Sequence, residues 1–332
     1  MKLPRAAPGT DAISPPHLAG LIVGATCIAF APIFAVLSGG PGGVGMWDAA
    51  FWRVFFGAGA MGLMMAVTDR RNPAGGAVLS RREGDGRYWG WLWAPGMFFA
   101  GDFWVWHWSF EHTSVANSTL LANVAILYVT LFAWLVWRER LSRPFVAGAL
   151  LAFGGVTALL LSSKNRVPPT DGNPVFGDFL ALMTAFFYGS YQLTMKRYRR
   201  ERSAPVLMFW ASAVAAALLL PLAAIHRDPF LPATAKGWWP LLALGVISHA
   251  CGQGSIAYGL GGVPSSLASV TLLVQPLMTA ALGAVILRQP LVPLQIAGGG
   301  AVIVGLFLAI RGQLALRTGD VRPAPAARER CR

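Results

Sequence analysis

The sequence predicts an all-α membrane protein with ten transmembrane helices, arranged as two inverted five-helix repeats around a central cavity. Three observations predict this fold: scarce charge, ten apolar stretches, and an alternation of Lys and Arg between successive connections. Of the 332 residues, 55% are hydrophobic and 12% are charged, with a mean hydropathy of +0.54. Because about a quarter of the residues in a soluble domain are charged, this chain has too few charges to cover a water-facing surface.

The formal net charge of +13 raises the question of a nucleic-acid partner. The positive residues stand in short clusters between apolar stretches, whereas a nucleic-acid-binding protein presents a continuous basic face. We therefore expect a lipid bilayer and a small solute as partners, and no nucleic acid. The 3 cysteines have no metal-ligand spacing, so we expect no metal site. We also expect no cofactor and no catalytic residues.

Ten stretches are long enough to cross a hydrocarbon core of about 30 Å, which takes about twenty residues of helix. Turn-forming residues and charges separate them, and several of the connections are very short, so successive helices form antiparallel hairpins. The predicted spans are 17–38, 46–67, 88–111, 114–137, 143–163, 174–196, 204–225, 238–260, 264–287 and 292–311.

The distribution of Lys and Arg predicts the orientation, since cytoplasmic connections carry an excess of both. With the N-terminus inside, twenty-one of the 27 lie in segments on the cytoplasmic side, five lie outside, and Arg53 lies within a span. We therefore expect a multi-pass protein of the bacterial inner membrane with both termini cytoplasmic. The N-terminal tail is predicted at 1–16, an external linker at 164–173 and a basic C-terminal tail at 312–332.

The two halves of the chain, 17–163 and 174–311, resemble each other. Residues 138–141 read Arg-Glu-Arg-Leu and 288–291 read Arg-Gln-Pro-Leu, and the same offset of 150 relates two glycine pairs, Gly148 with Gly298 and Gly155 with Gly305. Five spans per repeat is an odd number, so the second copy is inverted relative to the first. Such halves exchange conformations and open a central cavity to one side and then the other.

Matched helix breakers predict where the cavity lies. At an offset of 157, Pro32 corresponds to Gly189, and we expect Pro32 to interrupt the first span and Gly189 the sixth. Pro removes one backbone hydrogen bond and kinks a helix, which frees carbonyl groups to line a site. The alternative is that Pro and Gly serve only close helix packing.

Several motifs resemble the EamA family of the drug/metabolite transporter superfamily. Residues 30–34 read Phe-Ala-Pro-Ile-Phe, 137–141 read Trp-Arg-Glu-Arg-Leu, 248–254 read Ser-His-Ala-Cys-Gly-Gln-Gly and 273–276 read Leu-Val-Gln-Pro. The resemblance spans about 17 to 311. It implies a ten-helix transporter with a central cavity, of the kind found among exporters of amino acids and other metabolites. Because members of the family carry diverse solutes, it names a class of protein and no substrate.

Ionisable residues within spans are costly and need a partner or a purpose. Arg53 and Asp102 lie at a similar depth in the outer halves of spans two and three, and we expect them to stabilise each other's charges. Alternatively, Asp48 attracts Arg53, or the Arg53 side chain extends outward to the interface. Asp102 is also a candidate for proton coupling, with His107 and His249 as rivals; structural hydrogen bonds between helices are the alternative for both histidines.

The predicted substrate site combines amides, hydroxyls and aromatic rings near the middle of several spans, a combination that suits a small amphipathic or zwitterionic solute. The alternative is that these polar groups join helices to one another. The candidates are Pro32, Trp106, Asn123, Tyr188, Tyr191, His249, Gln253 and Gln275.

The sequence predicts a secondary transporter that exports amino-acid-like or other small amphipathic solutes. A passive facilitator or channel is the main alternative. A membrane-embedded enzyme is less favoured because the sequence has no metal-ligand cluster, acid pair or activated nucleophile, and a phosphate-binding loop of the kind used by ATP-driven pumps is absent. Small residues at Gly148/Ala152 and Ala301/Gly305 predict close helix contacts, either within the chain or in a homodimer.

Overall fold

The fold is described from a computed structural model, which describes residues 13–40, 42–71, 90–162, 173–199, 201–225, 229–286, 288 and 291–319. Within these ranges the regular secondary structure is helical. Most of the predicted linker, the first twelve residues of the N-terminal tail and residues 320–332 of the C-terminal tail lie outside the described residues.

Within the described residues, fourteen α-helices and one π-helix form the bundle. The first repeat contains α1 (Pro15–Ile28), α2 (Ala31–Ser38), α3 (Met46–Arg71), α4 (Gly90–Ser109), α5 (Val115–Ala122), α6 (Ala125–Leu135) and α7 (Arg143–Leu161). The second repeat contains α8 (Pro174–Tyr198), α9 (Ala204–Ile225), α10 (Trp238–Ala243), the π-helix (Leu244–Gln253), α11 (Gly254–Gly259), α12 (Ser265–Thr271), α13 (Val274–Ile286) and α14 (Pro293–Gly319). A 3₁₀ turn, Ala235–Gly237, precedes α10.

The predicted spans coincide closely with these helices. The largest difference is at the C-terminal end, where α14 continues to Gly319, so the predicted tail begins with helix. Within the described residues, 8 helical segments are long and apolar enough to cross a membrane. The remaining two predicted spans correspond to α4 and α8, of 20 and 25 residues, which carry more polar side chains and pack against each other.

Three of the predicted spans are formed by two short helices each. The chain turns at Ala29–Phe30 between α1 and α2, with Pro32 in the first turn of α2, where its missing N–H costs little. Equivalent breaks separate α5 from α6 and α12 from α13. The eighth predicted span is interrupted differently, by ten residues of π-helix, a form that occurs at functional sites.

The prediction that Gly189 interrupts the sixth span is wrong, because α8 is continuous from Pro174 to Tyr198. The reason for a glycine is packing: a Cβ placed on Gly189 would collide with the ring of Tyr128 in α6. The hydroxyl of Tyr128 lies 3.1 Å from the hydroxyl of Ser190. Gly189 therefore permits a close approach of the two repeats and does not break the helix.

The backbone shows the repeat at an offset of 150. Arg138 and Arg288 are the described non-glycine residues with positive φ, 55° and 51° respectively. Left-handed backbone is uncommon outside glycine, so its occurrence at two equivalent positions indicates that each repeat makes the same sharp turn. This turn follows α6 in the first repeat and α13 in the second.

The contact between α7 and α14 shows how the two repeats are related. A Cβ placed on Gly155 would lie 2.6 Å from the carbonyl oxygen of Gly298, and one placed on Gly305 would lie 2.5 Å from that of Gly148. The two contacts are equivalent under the offset of 150: Gly155 corresponds to Gly305, and Gly298 corresponds to Gly148. The small residues thus serve a contact within the chain, related by a pseudo-twofold axis. A homodimer through other surfaces stays a prediction.

Other packing follows the same axis. In the first repeat α4 packs against α8, and the corresponding segment of the second repeat, the π-helix and α11, packs against α1. Likewise α4 contacts α9, while the π-helix contacts α3. We call the end of the bundle that carries the start of α1 and Glu139 the amino-terminal face. The opposite face carries the start of α3 and the connection between α13 and α14.

The close α7–α14 contact leads to a prediction with an internal control. We expect Gly155→Ala to destabilise the protein by about 1–3 kcal/mol, the usual cost of overpacking, because a methyl group would meet the backbone of α14. Gly154 has no atom within 4 Å of the position that a Cβ would occupy, so Gly154→Ala is the matched control. Thermal unfolding of the detergent-purified variants measures both effects. Equal melting temperatures for the two variants would contradict this packing.

Candidate functional site

A cavity of about 1060 Å³ lies between the two repeats. Its wall extends from the helix ends at the opposite face to the middle of the bundle, and both repeats contribute to it. Small-molecule sites commonly occupy 300–1,000 Å³, so the volume suits a metabolite. The residues at its mouth include Gly39, Met46, Ser162, Arg288 and Gln295.

Nine of the eleven residues predicted for the site line this cavity. They come from seven of the predicted spans, and the interrupted helices place several of them beside a break: Pro32 after the α1–α2 break, Asn123 at the α5–α6 break, and Gln275 just after the α12–α13 break. The nine are Pro32, Arg53, Asp102, Trp106, His107, Asn123, Tyr188, Gln253 and Gln275.

Arg53 and Asp102 face the same part of the cavity from α3 and α4. Their charges are close enough to interact, but within the described residues no hydrogen bond joins the two groups, so their mutual stabilisation stays a prediction. The guanidinium of Arg53 instead lies over the ring of Phe103, 5.0 Å from its centroid. Arg53 is only 7% exposed, and its Nε has no hydrogen-bond partner.

Tyr191 and His249 lie behind the cavity wall, in contrast to the prediction that they line it. Tyr191 is 1% exposed, and its hydroxyl donates to the sulfur of Met208 at 3.2 Å. His249 is fully buried, with Nε2 2.8 Å from the hydroxyl of Ser212. The ring of Phe99 covers both side chains. For His249 the structure shows the alternative role, a hydrogen bond between helices.

His107 and Asn123 combine a place on the cavity wall with local hydrogen bonds. The Nδ1 atom of His107 lies 2.7 Å from the carbonyl oxygen of Phe103. The amide of Asn123 donates to the carbonyl of Thr119 at 2.7 Å, which satisfies a backbone group near the α5–α6 break. Both residues therefore stabilise the local structure in addition to lining the cavity.

Gln253 and Trp106 have polar atoms without a partner in the described structure. These atoms are Oε1 of Gln253, which is 3% exposed, and Nε1 of Trp106. Gln253 forms a hydrogen bond with Tyr188. Buried polar atoms in native proteins are bonded to protein or to water, so both atoms are available to water or to a solute in the cavity.

An aromatic face of α4 was not predicted from the sequence. Phe99, Phe103 and Trp106 line the cavity from α4, and their spacing of four and three residues places them on one side of the helix; Phe110, in the turn that follows α4, lines the cavity as well. This periodicity is visible in the sequence, but an apolar stripe is equally typical of core packing. Trp104 and Trp108 stack with centroids 6.3 Å apart on another side of α4, and Trp104 is 45% exposed.

The amino-terminal face is closed by contacts between the repeats. Glu139, in the α6–α7 connection, accepts hydrogen bonds from the backbone N–H of Ser265 at 2.9 Å and of Ser266 at 3.1 Å, and from the hydroxyl of Ser266 at 2.7 Å. These N–H groups begin α12, where the helix dipole favours a negative charge. A carboxylate from the first repeat thus caps a helix of the second.

Further contacts surround Glu139 on this face. The ammonium of Lys196 donates to the carbonyl of Val263 at 2.7 Å, and Nε of Arg199 donates to that of Ala257 at 2.8 Å. The ring of His17 stacks on Tyr258 with centroids 4.3 Å apart. The residues that line the cavity do not include any of these, so the cavity ends before it reaches the amino-terminal face.

Among the described residues, no group of three or more His, Cys, Asp or Glu side chains is arranged to hold a metal ion. The side chains that line the cavity include two guanidinium groups, of Arg53 and of Arg288 at the mouth, one carboxylate, four amides and several aromatic rings. Such groups can bind and orient a solute.

Two of the curated proteins with partial similarity to the chain are a transporter and an exporter. An uncharacterized transporter of Archaeoglobus fulgidus is 26% identical over 120 residues, 36% of this chain and 36% of that protein. The pseudopaline exporter CntI of Pseudomonas aeruginosa is 25% identical over 200 residues, 60% of this chain and 67% of that protein. The chain thus matches only about a third of the length of the archaeal relative.

A solved crystal structure has the same fold, with a TM-score of 0.72 over 91% of this chain and 100% of that chain, at 18% sequence identity. The profile of the EamA-like transporter family matches residues 17–161 and 175–311, one match in each repeat. These matches account for most of the chain and agree with the repeat seen in the structure. The protein is a multi-pass membrane protein that belongs to the EamA-like transporter family.

Proposed function

We propose that this transporter exports small amphipathic metabolites, amino-acid-like ones among them, by alternating access across the bacterial inner membrane. The observation that carries the proposal is the cavity: it is lined by both repeats, begins at the opposite face and ends in the middle of the bundle. A solute-sized site that reaches one face only is what an alternating-access carrier requires in each of its two states.

The pseudo-twofold relation of the repeats supports the exchange between these states. Because α7 contacts α14 through equivalent glycines, each repeat can adopt the conformation of the other while this contact is kept. In the proposed topology α4 and α8 are also spans, which gives ten spans with both termini cytoplasmic. The amino-terminal face is then the cytoplasmic one, and the cavity opens outward.

The side chains of the cavity support the proposed class of solute. Aromatic rings on α4 offer apolar contact, while Arg53, Asp102 and the amides of Asn123, Gln253 and Gln275 offer charge and hydrogen bonds. Amphipathic molecules match such a mixed wall. A relative at 25% identity is named an exporter of pseudopaline, which supports export as the direction of transport.

A passive facilitator or channel is the second candidate, since it needs a similar cavity. Closure of the amino-terminal face by Glu139 and its neighbours favours a carrier, because a channel needs a path that reaches both faces at once. A membrane-embedded enzyme is less favoured, because the cavity offers binding groups without an activated nucleophile or a metal cluster in the described residues.

Metabolite profiling tests the proposed function. We expect overproduction to raise a small set of amphipathic metabolites in the medium and deletion to raise the same set in the cytoplasm. In vesicles, unlabelled solute on the far side should accelerate uptake of labelled solute, with saturation. Unchanged profiles would contradict export, and uptake that neither saturates nor responds to counterflow would favour the channel.

The Glu139 contact provides a test of alternating access and of orientation. Replacing Glu139 by Gln removes the charge that caps α12 and should open the amino-terminal face more often. In a chain without its three cysteines, a cysteine at Gln275 should then react several-fold faster with an impermeant thiol reagent in inside-out vesicles. Glu201→Gln is the matched control, because Glu201 is on the same face but pairs with exposed Arg197. Equal labelling of both variants would contradict a closing role for Glu139.

We further propose that Asp102 couples export to the proton gradient. It lies on the cavity wall, where it faces Arg53 from α3 and Tyr188 and Tyr191 from α8, with His107 on its own helix. A carboxylate that a solute and a proton reach by the same cavity can exchange one for the other during each cycle.

The proton-coupling proposal predicts that Asp102→Asn abolishes the stimulation of export by a pH gradient, while exchange of labelled for unlabelled solute continues. His107→Gln, which changes the rival group on the same helix, should retain the stimulation. Vesicles with an imposed pH gradient measure both. If Asp102→Asn responds to the gradient as fully as the parent protein does, Asp102 is not the proton carrier.

A further inference from the structure

We propose that Arg53 binds the carboxylate of the transported solute, so that the substrates are amphipathic carboxylic acids. This inference rests on the proposed transport function and adds the chemical class of the solute. It depends on the position of one cation in the cavity, on the groups that do not bond to it, and on the apolar surface beside it.

Arg53 is a buried cation that is held in place without being neutralised by a hydrogen-bonded partner. It is 7% exposed, its Nε has no hydrogen-bond partner, and it lines the cavity. The ring of Phe103, 5.0 Å from the guanidinium carbon, supports the side chain from one side. A cation–π contact leaves the N–H groups in the guanidinium plane unused, and these are the groups that bind a carboxylate in bidentate fashion.

Asp102 provides a negative charge near this buried cation. It is adjacent to Phe103 in the chain and interacts electrostatically with Arg53, but no hydrogen bond joins them in the described structure. Its negative charge therefore balances Arg53 at a distance and leaves the guanidinium free for an incoming anion. Arg53 and Asp102 are the charged pair in the inner part of the cavity, whereas Arg288 lies at its mouth, so the inner site suits a singly charged carboxylate better than a phosphate with up to two charges.

The rest of the wall fits the body of such a molecule. Phe99 and Phe103 lie on the same side of α4 as Trp106, whose Nε1 has no partner, and Phe110 follows in the turn after α4. On the second repeat, Oε1 of Gln253 is an acceptor without a donor. An acid with an apolar chain would place its carboxylate at Arg53 and its chain against the aromatic rings, and an amino group on the same molecule could donate to Gln253 or Asp102.

A matched set of four compounds tests this assignment on the purified full-length protein by thermal shift. The probes are leucine, 4-methylpentanoate, which lacks the amino group, 3-methylbutylamine, which lacks the carboxylate, and 3-methylbutyl phosphate. We expect leucine and 4-methylpentanoate to raise the melting temperature with concentration and the amine and the phosphate to have no effect. Stabilisation by the amine or the phosphate but not by the acids, or by none of the four, would overturn the proposal.

Three variants complete the experiment. Arg53→Gln should lose the response to the acids, and Arg53→Lys, which keeps the charge but not the fork of donors, should weaken it by about tenfold, since truncating one partner of a buried charged hydrogen bond is costly. Arg311→Gln is the control, because Arg311 lies over Phe307 in the same way, at 4.8 Å, but is exposed and away from the cavity. It should respond within about twofold of the parent protein.

The variants also separate this inference from the proposed function. Cells that produce Arg53→Gln should lose export of carboxylic acids, while those that produce Arg311→Gln should keep it. If the parent protein exports metabolites but none of them is a carboxylate, or if Arg53→Gln exports carboxylates normally, the assignment of Arg53 is wrong and the transport function stands. If the parent protein exports nothing, the transport proposal itself fails.

Discussion

The structure depends on one constraint: backbone polar groups surrounded by lipid must be hydrogen-bonded within the protein. A helix can therefore be interrupted inside a membrane only where protein or a polar cavity covers the free groups. The breaks after α1, α5 and α12 meet this condition, because each lies beside cavity-lining residues, Pro32, Asn123 and Gln275 respectively. The helix breaks therefore lie where the protein interior is polar, and that polar interior stabilises the backbone groups that the breaks leave free.

The spans, their order and the repeat could be predicted from the sequence because each depends on local composition. Apolar length gave helix ends within a few residues of those observed at Met46, Pro174 and Ala204. The offset of 150 between Arg138 and Arg288 was visible as a sequence match and reappears as a shared backbone conformation. Nine of the predicted site residues line one cavity because polar side chains within lipid-crossing helices have few other places to be.

What the sequence could not predict depends on contacts between distant segments. Gly189 matches Pro32 in position, but a glycine is needed there because the ring of Tyr128, from another helix, leaves no room for a Cβ. Tyr191 and His249 have the polarity of cavity residues, yet a difference in rotation about the helix axis turns them toward Met208 and Ser212. Glu139 appears in the sequence as one charge among several in a short connection. Only the structure shows that its carboxylate accepts a hydrogen bond from the first N–H group of α12.

The two repeats have similar backbones but contribute different charged side chains to the cavity, so its two halves differ in chemistry. At the offset of 158 that relates Trp52 to Trp210, the position equivalent to Arg53 is Ala211, which is 1% exposed and lies in the core. The first repeat therefore contributes a guanidinium, the carboxylate and one amide, while the second contributes three amides, a phenol and, at the mouth, the guanidinium of Arg288. In the proposed transport cycle, the symmetric backbone would allow the two repeats to exchange conformations, whereas the asymmetric set of side chains would hold the solute in one orientation throughout the exchange.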